Sequence, residues 1–326
     1  VVYNAEVYRT WMRLNPDDVI LAGAPLFHIT GLIAHLAVGA LGLPMILSYR
    51  FDPAELLSRQ AQFGGSFSVM AITAYIALLH HPALATSDLT TFTKAYSGGA
   101  PIPPAVVEAF VDKTGVRIHP VYGLTETTSP SHAVPLGVNP PIDPALGALS
   151  IGVPLPDVEC RVVDLVTGED ASIGEQGELW IRSPGVVKGY WRNPSETALA
   201  LAGGWLRTGD ICSMDADGWF YIVDRAKDMI IASGFKIWPR EVEEVLFSHP
   251  SVREAAVIGI PDSYRGQTVK AFVALSDQAA TLGELESFCR DHIAAYKVPR
   301  QIEIVDEIPK TASGKFSRRA LRLGQT

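Results

Sequence analysis

Cysteine is scarce in this chain. Cys160, Cys212 and Cys289 are the three in 326 residues, far apart, with no CxxC pair. No disulfide framework is expected, and reduced, structural thiols point to a cytoplasmic setting. Basic charge is short as well: 27 Lys and Arg against 35 Asp and Glu give a net charge of −8. A constitutive nucleic-acid binder carries a basic face, so nucleic acid is not an expected partner. A local basic cluster still suits a phosphorylated small molecule. Long apolar runs are missing too. The longest, Gly31 to Leu47, is broken by His35, by glycines and by Pro44, and falls short of the ~20 residues of a membrane span. It predicts a buried helix followed by a strand. The opening "VVYNAEVYRT" has neither a basic stretch before an apolar core nor a methionine; no signal peptide is expected, and something upstream is expected to be missing.

What is present describes a folded protein. Hydrophobic residues are 48% and charged residues 19%, a globular composition. The length suits two domains at roughly 100–200 residues each. Three textures succeed one another. Residues 1–146 alternate helix and strand patterns as an α/β layer does, with "NAEVYRTWMRL" and "PPAVVEAFVDKTG" as helices and "DDVILAGAP" as a strand. Residues 147–224 hold short strands, "VECRVVD", "GELWIRS" and "GWFYIVD", which suggest a small β-barrel or curled sheet. Residues 228–326 read as an α+β module built from "WPREVEEVLFSHP", "VREAAVIGIPD", "VKAFVALS" and "LGELESFCRDHIAAYK". The junction falls near "DRAKDM", at residues 225–227.

Several short stretches could carry chemistry. In "VYGLTETTSP" (Val121 to Pro130) a strand ending in a turn at Gly123 would present Tyr122, Thr125 and Glu126 together, at the strand end where open α/β sheets place ligands. A tyrosine face stacks on a flat heterocycle, a threonine hydroxyl reaches a phosphate, and one carboxylate can hold Mg²⁺. Alone, the stretch also fits a solvated turn. "AYSGGAPIPP" has adjacent glycines, Gly98 and Gly99, that let backbone approach a ligand or simply serve a turn. Asp210 follows a tight Thr-Gly turn and Arg225 ends a strand, so each could be aimed at a ribose. Lys315 sits in "PKTASGKFSRRAL", on a glycine loop before a basic helix, where its ammonium could meet a phosphate or simply lie at a frayed terminus.

In order along the chain, "PLFHITG", "SGGAP", "VYGLTETT", "GELWIRSPGVVKGYWRNPSET", "GWLRTGD", "DRAKDMIIASGFKIWPREVE" and "PKTASGKFSRRAL" resemble the signature of the acyl-adenylate-forming superfamily, and within it the acyl-CoA synthetases. The resemblance covers essentially the whole chain. It implies that fold, truncated at the amino terminus, with a mobile carboxyl-terminal domain. It also implies an ATP-dependent acid–CoA ligase that joins a carboxylic acid to AMP and then to the thiol of coenzyme A.

The resemblance further implies that Gly98, Gly99, Ala100, Pro101, Tyr122 and Gly123 bind the nucleotide, Thr125 touches its phosphate, and Glu126 ligates Mg²⁺. Asp210 and Arg225 would hold the ribose, and Lys315 would bridge the acyl carboxylate and the α-phosphate. His28, Ser97 and Thr127 would line the acyl pocket, Lys227 would be the hinge, and Gly234 would border the coenzyme A tunnel. The family's phosphate loop, of the form TSGTTGxPKG, is absent from the sequence, as is the portion preceding it. A fragment of a longer enzyme is expected, weak or inactive by itself, with exposed apolar surface that favours self-association. An apolar pocket favours a medium- or long-chain fatty acid or an aryl acid, and such a protein could sit peripherally at a membrane. Two other readings are an AMP-binding homologue without catalysis and the adenylation domain of a peptide synthetase. A luciferase-type oxygenase is a further neighbour, without the specialised pocket it needs.

Overall fold

Short strands buried on both faces alternate with helices in the first part of the chain, the pattern of a parallel sheet covered by helices. The computed structural model describes residues 1–144, 146–276 and 280–324. They form two compact units, one of residues 1–141, 149–208 and 212–221, the other of residues 142–148, 209–211 and 222–326.

The first unit begins with α1 (Val2–Thr10), β1 (Ile20–Leu21), α2 (Ile29–Leu41), β2 (Met45–Ile46), α3 (Pro53–Phe63) and β3 (Phe67–Met70). It continues with α4 (Ile72–Leu79), β4 (Lys94–Gly98), α5 (Pro104–Thr114), β5 (Ile118–Leu124), β6 (Ser129–Ala133) and β7 (Val153–Pro154). The helix boundaries obey their local chemistry. Asp52 caps α3 by accepting from the Glu55 N–H, Pro53 opens it, and Gly64 closes it in the left-handed conformation. The Gly31 to Leu47 run folds as α2, closed by Gly42, and then β2, as expected. Among the described residues no helix is long and apolar enough to cross a membrane.

The strands join in the order β2–β1–β3–β4–β5–β6–β7. Pairing is parallel from β2 to β5 and antiparallel from β5 to β7. The core on one face holds Tyr8, Met12, Ile33, Phe67 and Tyr96, with Phe67 tilted between the rings of Tyr8 and Tyr96 at 5.5 and 6.0 Å. This packing fixes the carboxyl ends of β4 and β5, from which the candidate site emerges.

Next come β8 (Glu159–Val163), β9 (Gly177–Arg182), α6 (Pro194–Ala200), β10 (Leu206–Met214) and β11 (Phe220–Arg225). In place of a closed barrel, the strands follow the linear order β11–β10–β9–β8. One face carries an alternating ladder: Arg182 on Trp205, Trp205 against Arg161, Arg161 on Trp180, and Arg207 on Trp180, at 4.7 to 5.7 Å. Cation–π stacking covers two large rings that the strand alternation would otherwise expose.

The second unit contains β12 (Ile230–Ala232), β13 (Phe235–Ile237), α7 (Pro239–Phe247), β14 (Val252–Asp262), β15 (Gly266–Leu275), α8 (Leu282–His292), β16 (Gln301–Ile304) and α9 (Arg318–Leu323). Its sheet runs β13–β12–β15–β14, and β16 pairs parallel with β15. Helix α8 opens with a capping box between Thr281 and Glu284. Ile237, Val242, Leu246, Val257, Val273 and Leu285 form the principal core. These elements combine helices with a mainly antiparallel sheet, an α+β arrangement.

Candidate active site

In the first unit, β4 ends at Gly98 beside Val121 of the parallel strand β5. A Cβ at Gly98 would stand 2.3 Å from the Val121 carbonyl oxygen, and Gly99 follows with φ of +82°. Only glycine permits that pairing and the turn after it. Ala100 and Pro101 continue the turn before α5. Ser97 is buried, and among the described residues its hydroxyl has no hydrogen-bond partner.

Tyr122 lies on β5, where the register with β6 shifts between Tyr122 and Gly123. His132 meets the Tyr122 ring edge-on at 5.7 Å, and Phe220 at 4.8 Å. The imidazole is fixed at both nitrogens, with Nδ1 3.0 Å from Ser131 Oγ and Nε2 3.3 Å from Cys160 Sγ. Burial without a counter-charge holds His132 down to about 3 and pushes the Cys160 thiol up to about 12. The ring is therefore neutral in the native state at any working pH. The unfolded chain takes a proton at this residue below about pH 6.5, so stability present above that pH is lost as pH falls towards 3. The expected loss from this one group is about 2 kcal/mol between pH 7 and pH 5. Urea unfolding at both pH values should show it in the parent chain and not in His132→Gln; equal pH dependence in the two would refute it.

Thr125 is exposed and Glu126 half-buried. The Tyr190 hydroxyl donates to Glu126 Oε1 at 2.8 Å; that bond, with some burial, pushes the tyrosine up to about 12. The buried residues Thr127 to Ser129 make a strained turn, with φ of +57° at Thr128 and +76° at Ser129, each costing about 1–3 kcal/mol. Neighbours over-determine it. Thr127 Oγ1 accepts from the Leu124 N–H at 2.8 Å and lies 2.8 Å from the Ser129 carbonyl; Asn4 Nδ2 donates to the Thr127 and Thr128 carbonyls. The hydroxyl of Thr127 is thus engaged by its own turn. His28 caps α2, its Nδ1 accepting from the Thr30 N–H at 3.3 Å.

The second unit gathers another group. Arg225 Nε lies 3.3 Å from Oδ1 of the buried Asp210. Lys315 stands on a hairpin turn: the Thr311 N–H donates to the Lys315 carbonyl at 2.8 Å, Gly314 has φ of +83°, and Lys310 bridges Phe316. Its ammonium is shifted down by burial and by the Arg225 charge, against the pull of Asp210. Residues 210, 225 and 315 are therefore neighbours in one unit. Lys227 is exposed on the 3₁₀ turn Ala226–Asp228, and Gly234 has φ of +83° at the exposed tip of the β12–β13 hairpin.

Three residues after Lys315, Arg318 forms an ionic cluster with buried carboxylates. Its guanidinium donates to Asp224 at 2.9 Å, to both oxygens of Glu243 at 2.8 and 2.9 Å, and to Asp228 at 3.4 Å. Arg322 adds a bond to Asp228 at 2.8 Å. Burial alone would favour a neutral Arg318, but Glu243 and Asp224 outweigh it and keep the side chain charged. Sequence reasoning assigned no role to Arg318, Tyr190, His132 or Asn4. The repeated arginines of "FSRRAL" and the "GYW" within the longer motif were the available signals.

Comparison with known proteins places this architecture. The sequence profile described as AMP-binding enzyme matches residues 1–191, and that of the AMP-binding enzyme C-terminal domain matches residues 241–315. The chain belongs to the AMP-binding enzyme family. It is 43% identical over 326 residues to a long-chain-fatty-acid–CoA ligase of Bacillus subtilis, covering 98% of the chain and 57% of that ligase. It is 38% identical to a 2-succinylbenzoate–CoA ligase of Geobacillus kaustophilus, over 95% of the chain and 62% of the relative. The solved structure of the anthranilate CoA ligase AuaEII with anthranoyl-AMP superposes with a TM-score of 0.90 at 31% identity, covering 99% of the chain and 62% of that structure. The chain thus spans little more than half the length of the first of these relatives.

Proposed function

We propose that this chain is part of an ATP-dependent acid–CoA ligase that works through an acyl-AMP. The observation that supports the reading best is the grouping at the ends of β4 and β5 of a glycine turn, an aromatic face and a carboxylate, in a chain of the AMP-binding enzyme family. The turn at residues 98–101 and the Tyr122 ring would hold the adenine, and Thr125 would contact a phosphate. Glu126 fits Mg²⁺: it is half-exposed, only one of its oxygens is bound by Tyr190, and this ion is ordinarily held by one or two carboxylates together with phosphates and water. When bound, the ion would supply positive charge to the phosphate groups. Asp210 would accept from the ribose hydroxyls, with Arg225 beside it.

In the first half-reaction the acid's carboxylate oxygen attacks the α-phosphorus of ATP and pyrophosphate leaves. Lys315 would bridge the two anionic reactants, a charge placed where charge moves in the transition state. In the second, the thiolate of coenzyme A attacks the acyl carbon and AMP leaves with the acid's oxygen. Lys227 is the proposed hinge between the two half-reactions, and Gly234, which has open space where a side chain would stand, the proposed border of the thiol's path. The preferred acid would be a medium- or long-chain fatty acid or an aryl acid, in keeping with the apolar segment Phe67 to Leu79. Measuring AMP release by the full-length protein over a panel of acids tests this. The expected result is AMP formation that needs such an acid and rises with coenzyme A; no acid-dependent AMP with any member of the panel would overturn it.

A further inference from the structure

The stretch "GELWIRSPGVVKGYWRNPSET" has so far no chemical role beyond supplying β9 and α6. Its middle, residues 185–190, is seated on residues 126–128 by three separate contacts. Thr128 Oγ1 donates to the Gly185 carbonyl at 2.6 Å, the Val187 N–H donates to the Glu126 carbonyl at 2.8 Å, and the Tyr190 hydroxyl donates to Glu126 Oε1 at 2.8 Å. Gly185 makes the approach possible, because a Cβ there would stand 2.6 Å from the Thr127 carbonyl oxygen. Tyr190 is itself held from behind. Its N–H donates to Thr197 Oγ1 at 2.9 Å, and that hydroxyl donates to the Asn193 carbonyl at 2.8 Å.

Backbone and side chain of Glu126 are thus gripped by one neighbouring segment. A carboxylate on a solvent-facing turn otherwise samples several rotamers, and a phenol on one oxygen selects one of them and leaves the second oxygen to act alone. From this geometry we infer that Tyr190 is a positioning residue for the divalent cation, orienting Glu126 as a single-oxygen ligand. The inference rests on the role proposed for Glu126 and adds the residue that sets its geometry. Partners of this kind commonly change metal affinity or activity by about 10–100-fold when removed. For a partly exposed phenol the lower end, about 10-fold, is expected.

The test uses full-length protein, Mn²⁺ as the probe and a non-hydrolysable ATP analogue, with bound Mn²⁺ read by electron paramagnetic resonance. Tyr190→Phe should weaken Mn²⁺ binding about 10-fold and raise the KM for MgATP, while thioester formation from supplied acyl-AMP stays unchanged. Glu126→Gln should weaken Mn²⁺ binding at least as much. The double variant should be no weaker than Glu126→Gln alone, since both changes remove one interaction. Thr197→Val, which loosens the turn without touching the phenol, should shift binding in the same direction by less.

If Glu126→Gln weakens Mn²⁺ binding and Tyr190→Phe leaves it within twofold, the positioning role is overturned and the ligand role stands. If the two effects add, Tyr190 acts independently of Glu126 and the inference is likewise overturned. If neither variant changes Mn²⁺ affinity, the ligand role of Glu126 falls, and the inference falls with it.

Discussion

Arg318→Ala is expected to destabilise the second unit by about 3–5 kcal/mol, the range for removing one partner of a buried ion pair. Asp224, Asp228 and Glu243 are all buried and would lose the cation that compensates them. The backbone amides that also serve this cluster limit the damage without replacing a charge: Asp224 accepts from the Arg225 and Arg240 N–H groups, and Glu243 from the Val257 N–H at 2.8 Å. Arg318→Lys should recover only part of the loss, because a lysine cannot bind two oxygens of Glu243 and one of Asp224 with a single rigid fork. Arg322→Ala is the contrasting case, since that side chain is 41% exposed; its expected cost is below about 1 kcal/mol. Thermal unfolding, with hydrogen exchange at the Val257 amide as a local probe, distinguishes the two variants. Arg318→Ala should lower the melting point and speed exchange at Val257, and an unchanged melt and exchange rate would rule out the cluster as the anchor of the lysine loop.

The elements most legible in the sequence are those whose signals are local. Pro53, Pro104 and Pro239 open helices and Gly64 and Gly115 close two of them, each through the fixed or permissive backbone of a single residue. The loops proposed to meet the nucleotide are legible for the same reason, since "SGGAP" and "TASGK" spell their turns in glycine and hydroxyl residues. What stayed hidden depends on residues far apart. Tyr190 meets Glu126 across 64 positions, Arg318 meets Asp224 across 94, and Asn4 meets Thr128 across 124. No periodicity encodes such pairs. The left-handed backbone of Thr128 and Ser129 is illegible for a different reason: neither residue is glycine, and the conformation is imposed by Asn4 and Gly185. The choice between a barrel and a curled sheet for the short strands at residues 147–224 shows the remaining limit, because strand length and turn spacing do not say whether a sheet closes.

The largest effect on activity is expected at Lys315. Its ammonium sits on a turn closed at both ends by backbone bonds, half-buried beside Arg225 and Asp210, so it is presented in one place and is less completely hydrated than a surface lysine. On the proposed reading, a cation fixed in that way would stabilise the transition state of adenylation without reorganising at the moment of reaction. Lys315→Ala removes the charge, and the expected loss is about 10²–10³ in the adenylation rate, or ~3–4 kcal/mol. The surrounding fold should survive, because the ion pairs that anchor this loop belong to Arg318 and Arg322.

The most direct measurement is a comparison of the two half-reactions in full-length Lys315→Ala. Acid-dependent exchange of pyrophosphate into ATP should fall by about 10²–10³, while conversion of supplied acyl-AMP and coenzyme A to thioester should continue near the parent rate. Equal loss of both half-reactions in a folded variant, or full retention of pyrophosphate exchange, would contradict the assignment of Lys315 to acid activation.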